Sequence, residues 1–338
     1  MGAGIVHSND LDDFVTECDR LGGIQSKDAI PFLSDFSLRF STKIDETIDP
    51  FSEAYVNMQI ELYKELSNRE LKQTTGELTF VDIEQNVSTA NPYGSKDINF
   101  IAKNAHAVLS SLLVSQVPSH AKILDMGCGW GLSTEMFAFC GAEVSAVDIN
   151  PSFIELVDRR AKRNGYDVKV YNDQFDTFTS DTLFDLIFFY ECLHHSIRPW
   201  DTIKRLSGYL APNGKIAFAG EPITDMFWKN WGVRLDSFSV YCIRKFGWFE
   251  SGWSEIFIEQ CFNQAEFDLY LLPHVGLDSG IIGVARLSGD QESKMTSDPI
   301  CSHYDLQQKH EKLQHAHQAL LNSRWMKLRR ALRFIKPF

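Results

Sequence analysis

ILDMGCGWGLST, residues 123–134, decides how this chain is read. A short apolar strand runs into Asp125, and Gly127, Gly129 and Gly131 then lead into a helix. Glycine is needed where the backbone turns tightly with a ligand against it, because a Cβ would collide with that ligand. A lone glycine triplet is a weak signal, and G-x-G-x-x-G would indicate a nicotinamide or flavin dinucleotide. Here the third glycine falls one residue early and Leu132 occupies the dinucleotide position. The spacing gives little reason to expect a pyrophosphate at this helix N-terminus.

Working outward, the pattern is alternating strands and helices. Apolar strands are expected at AKILDM (121–126), AEVSAVDI (142–149), DVKVYN (167–172), LFDLIFFY (183–190) and KIAFAG (215–220). Helices are expected over 131–140, 152–163 and 200–210, and 267–288 reads as two strands joined by a turn. Strands without clean alternation, separated by helices, predict a parallel sheet covered on both faces. Asp148 ends the second strand, 17 residues after Gly131, and Asp173 follows the third. A carboxylate at the first position can accept both hydroxyls of a ribose, and one at the second can take the exocyclic amine of an adenine. Asp125, Asp148 and Asp173 fall at the strand ends where open α/β sheets bind ligands. One Asp after a strand is commonly a helix cap; three of them with the glycine triplet favour a ligand.

DMGCGWG, VDINP, FDLIFF and APNGKIAF resemble the successive motifs of class I S-adenosylmethionine-dependent methyltransferases, over roughly residues 100–288. The resemblance implies a Rossmann-like α/β fold with a seven-stranded sheet, the last strand antiparallel, and S-adenosyl-L-methionine as cofactor. It implies that Asp125, Gly127 and Gly129 line the methionine moiety, that Asp148 holds the ribose and that Asp173 meets the adenine. Gly131 and Tyr190 are counted with that site. NPYGSKD, ECLHHSIRPW, GEPI and SVYCIRKFGWFESGWS are similar to a bacterial subgroup associated with glycan assembly, which specifies no substrate. NPYG at 91–94 also looks like the NPPY motif of amino-methylating nucleic-acid enzymes, but it precedes the first strand and lacks the second proline.

In this fold the end of strand four faces the acceptor, which puts YECLHH (190–195) there. Methyl transfer is an in-line displacement that depends on placing the nucleophile. A hydroxyl acceptor also loses a proton, and histidine suits a general base near neutral pH. His195 is the first candidate and His194 the second. Glu191 is four residues before His195, so a helical segment would put both on one face. A Cys–His nucleophile is unnecessary for this chemistry, and Cys192 reads as packing. A metal held by Glu191, one histidine and Glu221 is the lesser alternative; no metal is assigned.

The segment 221–262 holds eleven aromatics, including four of the seven tryptophans. This is too apolar for a solvated loop, and the resemblance to class I enzymes implies that the segment between strands five and six selects the acceptor. Glu221, Trp228, Trp231, Arg234, Tyr241 and Arg244 are its candidate acceptor contacts. Aromatic faces suit sugar rings and arginines suit phosphate, so a saccharide, with or without phosphate, is expected. Many of these rings will also form the insertion's own core.

The sequence divides into a mainly helical N-terminal extension covering the site (1–116), a methyltransferase domain (117–288), a linker (289–300) and a tail (301–338). The net charge is −12, and Arg324, Lys327, Arg329, Arg330, Arg333 and Lys336 leave −12 − 6 = −18 on the rest. An acidic body argues against a nucleic-acid footprint. The basic tail, carrying Trp325, Leu328, Leu332 and Ile335, suits either an amphipathic helix on an anionic membrane or a contact with a glycan-assembly partner. Seven cysteines, without a C-x-x-C, fit reduced thiols, and with no secretory leader visible the expected location is cytoplasmic, with the inner membrane face as an option. Two other readings stand: a NAD-dependent nucleotide-sugar dehydrogenase or epimerase, and a non-catalytic cofactor-binding scaffold.

Overall fold

The computed structural model describes residues 2–289 apart from 77, 79 and 274–280. The basic tail, nearly all of the linker and the residues expected to form the turn after Pro273 lie outside the described residues. Residues Met1–Ser288 form one compact unit, so the N-terminal extension and residues 117–288 are not separate bodies.

The extension comprises β1 (Ile5–His7), α1 (Leu11–Arg20), α2 (Ile30–Leu33), β2 (Ser37–Arg39), α3 (Glu53–Ser67), α4 (Gln73–Gly76), α5 (Ile83–Ser88) and α6 (Ile98–Ser115). It is less purely helical than expected, because β1 and β2 pair in parallel. The two long helices have local causes. Ser52 caps α3 by accepting from the Tyr55 amide, and Asp97 caps α6 by accepting from Asn99 and Phe100. Asn68 and Gln116 end them in the left-handed region. Such caps satisfy amides that have no partner inside the helix.

The central domain adds β3 (Lys122–Met126), α7 (Leu132–Phe139), β4 (Glu143–Asp148), α8 (Pro151–Asn164), β5 (Val168–Asn172), β6 (Phe184–Tyr190), α9 (Pro199–Ser207) and β7 (Leu210–Ala219). The insertion forms β8 (Trp231–Val233), α10 (Ser237–Phe246), β9 (Ser251–Trp253) and α11 (Glu255–Gln264), and the unit closes with β10 (Phe267–Pro273) and β11 (Ile281–Leu287). The seven-stranded order is β10-β11-β7-β6-β3-β4-β5, with β11 antiparallel to both neighbours. The remaining ladders are parallel.

Period-two alternation splits the strands between two cores. Ile123, Leu186, Phe188 and Ala217 face one, with Val108 of α6 and Phe137 of α7. Leu124, Ile187, Phe189 and Ile216 face the other, with Tyr55 and Leu62 of α3 and Trp231, Phe249 and Phe257 of the insertion. The extension and the insertion therefore share a core on one sheet face. Tyr55 donates its hydroxyl to the Trp231 carbonyl at 2.7 Å, and Tyr63 donates to the Gly247 carbonyl at 2.6 Å. Because β3 to β7 run parallel, residues 127, 148, 173, 191 and 221 all emerge at one sheet edge.

Candidate active site

At that edge lies a cleft of about 480 Å³. One side is built by the glycine turn. Gly129 has φ +49°, and a Cβ there would meet no protein atom within 4 Å. Its amide donates to Asp148 Oδ2 at 2.8 Å, while Oδ1 accepts from the Asn150 amide at 2.8 Å. These backbone bonds fix the Asp148 carboxylate at the cleft wall, and each carboxylate oxygen can accept more than one hydrogen bond. Asp173 also lines the cleft; its own amide donates to the Asp148 carbonyl and its Oδ1 accepts from the Gln174 amide.

Two residues expected at the cofactor do not reach the cleft. Asp125 is fully buried and accepts from the Ser133 and Thr134 hydroxyls, at 2.7 and 2.5 Å, tying β3 to the first turn of α7. Burial raises its carboxyl to about 6. Gly131, at φ +87°, is a packing glycine: a Cβ would stand 2.7 Å from Val157 Cγ2. Gly127 lines the cleft and also packs, since its Cβ would lie 2.8 Å from Cys192 Sγ. Tyr190 lines it too, donating to Asn104 Oδ1 at 2.6 Å.

Glu191 interrupts the end of β6 at φ +50°, an uncommon conformation for a residue with a side chain. Its stem packs where Gly220 has no Cβ, and its exposed surface lies within the cleft it lines. Burial raises its carboxyl above the ordinary glutamate value. Residues 193–195 then form one 3-10 turn instead of a helix, so the four-residue spacing to His195 does not act as helical register.

The two histidines divide. His195 lines the cleft, and its Nδ1–H donates to the Phe249 carbonyl at 3.0 Å, since a carbonyl only accepts. That bond leaves Nε2 as the basic nitrogen. His194 is buried behind it, with Nδ1 2.7 Å from Glu221 Oε2 and Nε2 3.3 Å from Glu250 Oε2. Burial alone would depress His194, but the two carboxylates outweigh it and raise it to about 10. An enclosed imidazole that keeps its proton at neutral pH and does not line the cleft is not placed as a general base, so the second candidate is withdrawn. Cys192 is packing, with Sγ donating to the Met126 carbonyl at 3.0 Å.

The acceptor contacts expected of the insertion are not at the cleft. Trp228 and Trp231 are core rings whose Nε1–H groups donate to the Val233 and Pro50 carbonyls. The Tyr241 hydroxyl donates to Asp19 Oδ1, and Arg244 pairs with Asp12 at 2.6 Å. Arg234 pairs with Asp236 at 2.9 Å, and Glu221 is buried behind the turn. Composition alone could not say which rings of the segment line the cleft. Phe238 and Trp248 of the insertion do line the cleft, with Gln25, Gln73, Tyr93 and Phe100 of the extension. No lysine or arginine lines it among the described residues.

Sequence reasoning also missed Arg160. It is fully buried and donates to the Asn86 and Thr89 carbonyls at 2.6 and 3.0 Å, and to Glu135. It thereby fastens residues 86–90 to α8 just before Tyr93. A larger groove of about 950 Å³, lined by residues 46–51 and part of α11, contains none of these groups.

Residues 123–214 match the family model described as a methyltransferase domain. The match contains the glycine turn, Asp148, Asp173, Glu191 and both histidines, and leaves out the extension and the insertion. Among curated relatives, the ubiquinone biosynthesis O-methyltransferase of Rickettsia felis is 29% identical over 140 residues, covering 39% of this chain and 57% of that protein. Its counterpart in Coxiella burnetii is 33% identical over 98 residues, covering 29% and 42%. The chain thus spans about half the length of the curated relatives it matches. Among solved structures, the Burkholderia thailandensis 1,6-didemethyltoxoflavin-N1-methyltransferase is 21% identical, covering 56% of this chain and 81% of that one, with a TM-score of 0.43. An S-adenosylmethionine-dependent methyltransferase from Clostridium acetobutylicum is 13% identical, covering 56% and 92%, with a TM-score of 0.41. The matched residues 123–214 hold the glycine turn and the histidine turn, while residues outside them supply much of the facing wall.

Proposed function

We propose that the chain transfers the methyl group of S-adenosylmethionine to a hydroxyl of an uncharged, saccharide-type acceptor. The observation that carries this reading is one cleft holding the Gly129–Asp148 cradle on one side and His195 on the other. The residues fit the cofactor: the space before Gly129 contains no protein atom, and Asp148, Asp173 and Glu191 suit a cation. S-adenosylmethionine supplies an electrophilic methyl on a positively charged sulfur. Asp148 would accept the ribose hydroxyls, and Tyr93, Trp130 and Phe153 offer aromatic faces beside it.

His195 Nε2 takes the proton of the acceptor hydroxyl, while the Phe249 carbonyl keeps Nδ1–H in place. Glu191 orients that hydroxyl or the ring that bears it. The acceptor wall favours a neutral polyol: Phe238 and Trp248 present apolar faces to sugar C–H groups, and Gln25 presents an amide to hydroxyls, while the Gln73 side-chain amide donates to the His195 carbonyl. The phosphate part of the earlier expectation loses support, because Arg234 and Arg244 are paired away from the cleft and acidic groups surround it. The O-methyltransferase relatives support oxygen as the methylated atom. The glycine spacing and the family match disfavour a nicotinamide cofactor, and a cleft-facing histidine beside the cradle disfavours an inert scaffold. A glycan-assembly setting at the inner membrane face, with the tail of residues 301–338 as attachment, rests on the basic composition of that tail.

The test is incubation with methyl-labelled S-adenosylmethionine and panels of neutral saccharides, sugar phosphates and catechol-type phenols. Label on neutral saccharides supports the reading. Label confined to phenols or sugar phosphates refutes the acceptor class.

A further inference from the structure

Behind His195 lie Glu221, His194 and Glu250, all buried, with Arg234 at their edge. Removing charges from water is costly, and a buried group of this kind persists only where its partners are well placed. Glu221 has unusually full employment. Its Oε1 accepts from the amides of Cys192 and Leu193 at 3.0 and 2.9 Å, and its Oε2 accepts from the amide and Nδ1 of His194 at 3.0 and 2.7 Å. One carboxylate at the end of β7 thus gathers three successive amides of the histidine turn. From the opposite side, three consecutive residues of the insertion meet the two histidines. The Phe249 carbonyl accepts from His195, Glu250 faces His194 at 3.3 Å, and Ser251 donates its hydroxyl to the His194 carbonyl at 2.6 Å.

We infer that Glu221 and Glu250 are positioning residues that clamp the 192–195 turn between the sheet and the insertion through His194, and so fix the ring orientation and tautomer of His195. The assignment of His195 as base rests on the function proposed above; the clamp itself does not. His194 faces Glu221 and Glu250, and Arg234 stands between Asp236 at 2.9 Å and Glu250 at 3.9 Å. His194, His195 and Glu250 do offer three ligand atoms within 4.8 Å of one another. However, the His194 ring is engaged by a carboxylate on each side, and Arg234 stands 3.9 Å from Glu250.

The clamp is tested by ring ¹⁵N spectra of the full chain labelled in histidine, recorded from about pH 6 to about pH 9.5, where an ordinary histidine loses its proton. His194→Gln and His195→Gln assign the signals. His194 is expected to stay doubly protonated to the top of this range, and neutral His195 to carry its proton on Nδ1 alone. In Glu250→Gln, His194 should lose a proton at least one pH unit lower and His195 should become a tautomer mixture, with S-adenosylmethionine affinity changed less than about threefold. Glu221→Gln should do the same and loosen the turn; near-ultraviolet circular dichroism reports whether either variant is folded. An unchanged single tautomer of His195 in folded Glu250→Gln overturns the inference. So does a singly protonated His194 at neutral pH accompanied by one chelatable divalent metal per chain. Failure of the wild-type chain to bind S-adenosylmethionine would refute the proposed function, while the ring spectra would still decide the clamp.

Discussion

The Gly129 amide donates to Asp148 Oδ2 at 2.8 Å, joining positions 19 residues apart at adjacent strand ends. The bond does two things. It closes the glycine turn over the β3–β4 edge, and it holds a buried carboxylate at the wall of the cleft that Gly129 also lines. Gly129 and Gly131, two residues apart, should consequently fail differently when replaced by alanine. Both lose a left-handed backbone position, worth ~1–2 kcal/mol. Gly129→Ala adds a Cβ facing open cleft, so its main effect should be on ligand affinity, at least about tenfold weaker. Gly131→Ala drives a Cβ to 2.7 Å from Val157 and should mainly lower stability. Calorimetric binding and urea unfolding of the two variants separate these outcomes.

Arg160 should prove structural and coupled to the cleft. Replacing it with methionine leaves Glu135 and the carbonyls of residues 86–90 without their cation, at a cost of ~3–5 kcal/mol by urea unfolding. Because Tyr93 follows that segment, donor affinity should fall several-fold as well. Lysine should recover little, since it cannot reproduce a planar fork serving a carboxylate and backbone oxygens together.

The Glu221–His194–Glu250 cluster predicts a pH window of stability. His194 is raised from 6.5 to about 10 in the folded chain, so its contribution is fully present below pH 6.5 and is lost as pH rises through about 10. Across that window stability should fall by up to about 1.4 kcal/mol per pH unit from this group. Glu250 is lowered from 4.5 to about 2: burial opposes the shift, and the hydrogen bond to His194 with the nearby positive charges outweighs it. Its contribution is present above pH 4.5 and is lost as pH falls toward 2. Urea midpoints of wild-type and His194→Asn protein should diverge in slope on the alkaline side, with the variant flatter.

Phe238 and Trp248 reach the cleft from the insertion, outside the residues that match the methyltransferase family. Alanine at either position should raise the acceptor KM at least about threefold and leave S-adenosylmethionine affinity within about twofold. Initial-rate kinetics on the acceptor found by labelling, alongside calorimetry on the donor, measure the two separately.

The sheet was legible because parallel strands buried on both faces read as apolar runs, as FDLIFFY and KIAFA do. Strand-end carboxylates at 148 and 173 were legible because topology alone carries them to one edge. Asp125 and Gly131 were misplaced for a local reason: hydroxyls at 133 and 134 draw the acid inward, and Val157 fills the space beside the glycine. The insertion was visible as a segment, but aromatic content gives no facing. Trp231 and Trp248 differ only in what packs against them. The roles of His194 and His195 depended on Glu250 and Phe249, more than fifty residues later, which no spacing rule links to them. Nothing in the sequence singles out Arg160, and only the path of residues 86–90 reveals its use.

Calorimetric titration of the chain with S-adenosylmethionine and, separately, with oxidised nicotinamide dinucleotide tests the central claim most directly. The cleft described here predicts one site for S-adenosylmethionine, weakened at least about tenfold in Asp148→Ala, and no measurable heat from the dinucleotide. Binding of the dinucleotide with S-adenosylmethionine silent, or Asp148→Ala binding S-adenosylmethionine as tightly as wild type, would contradict it.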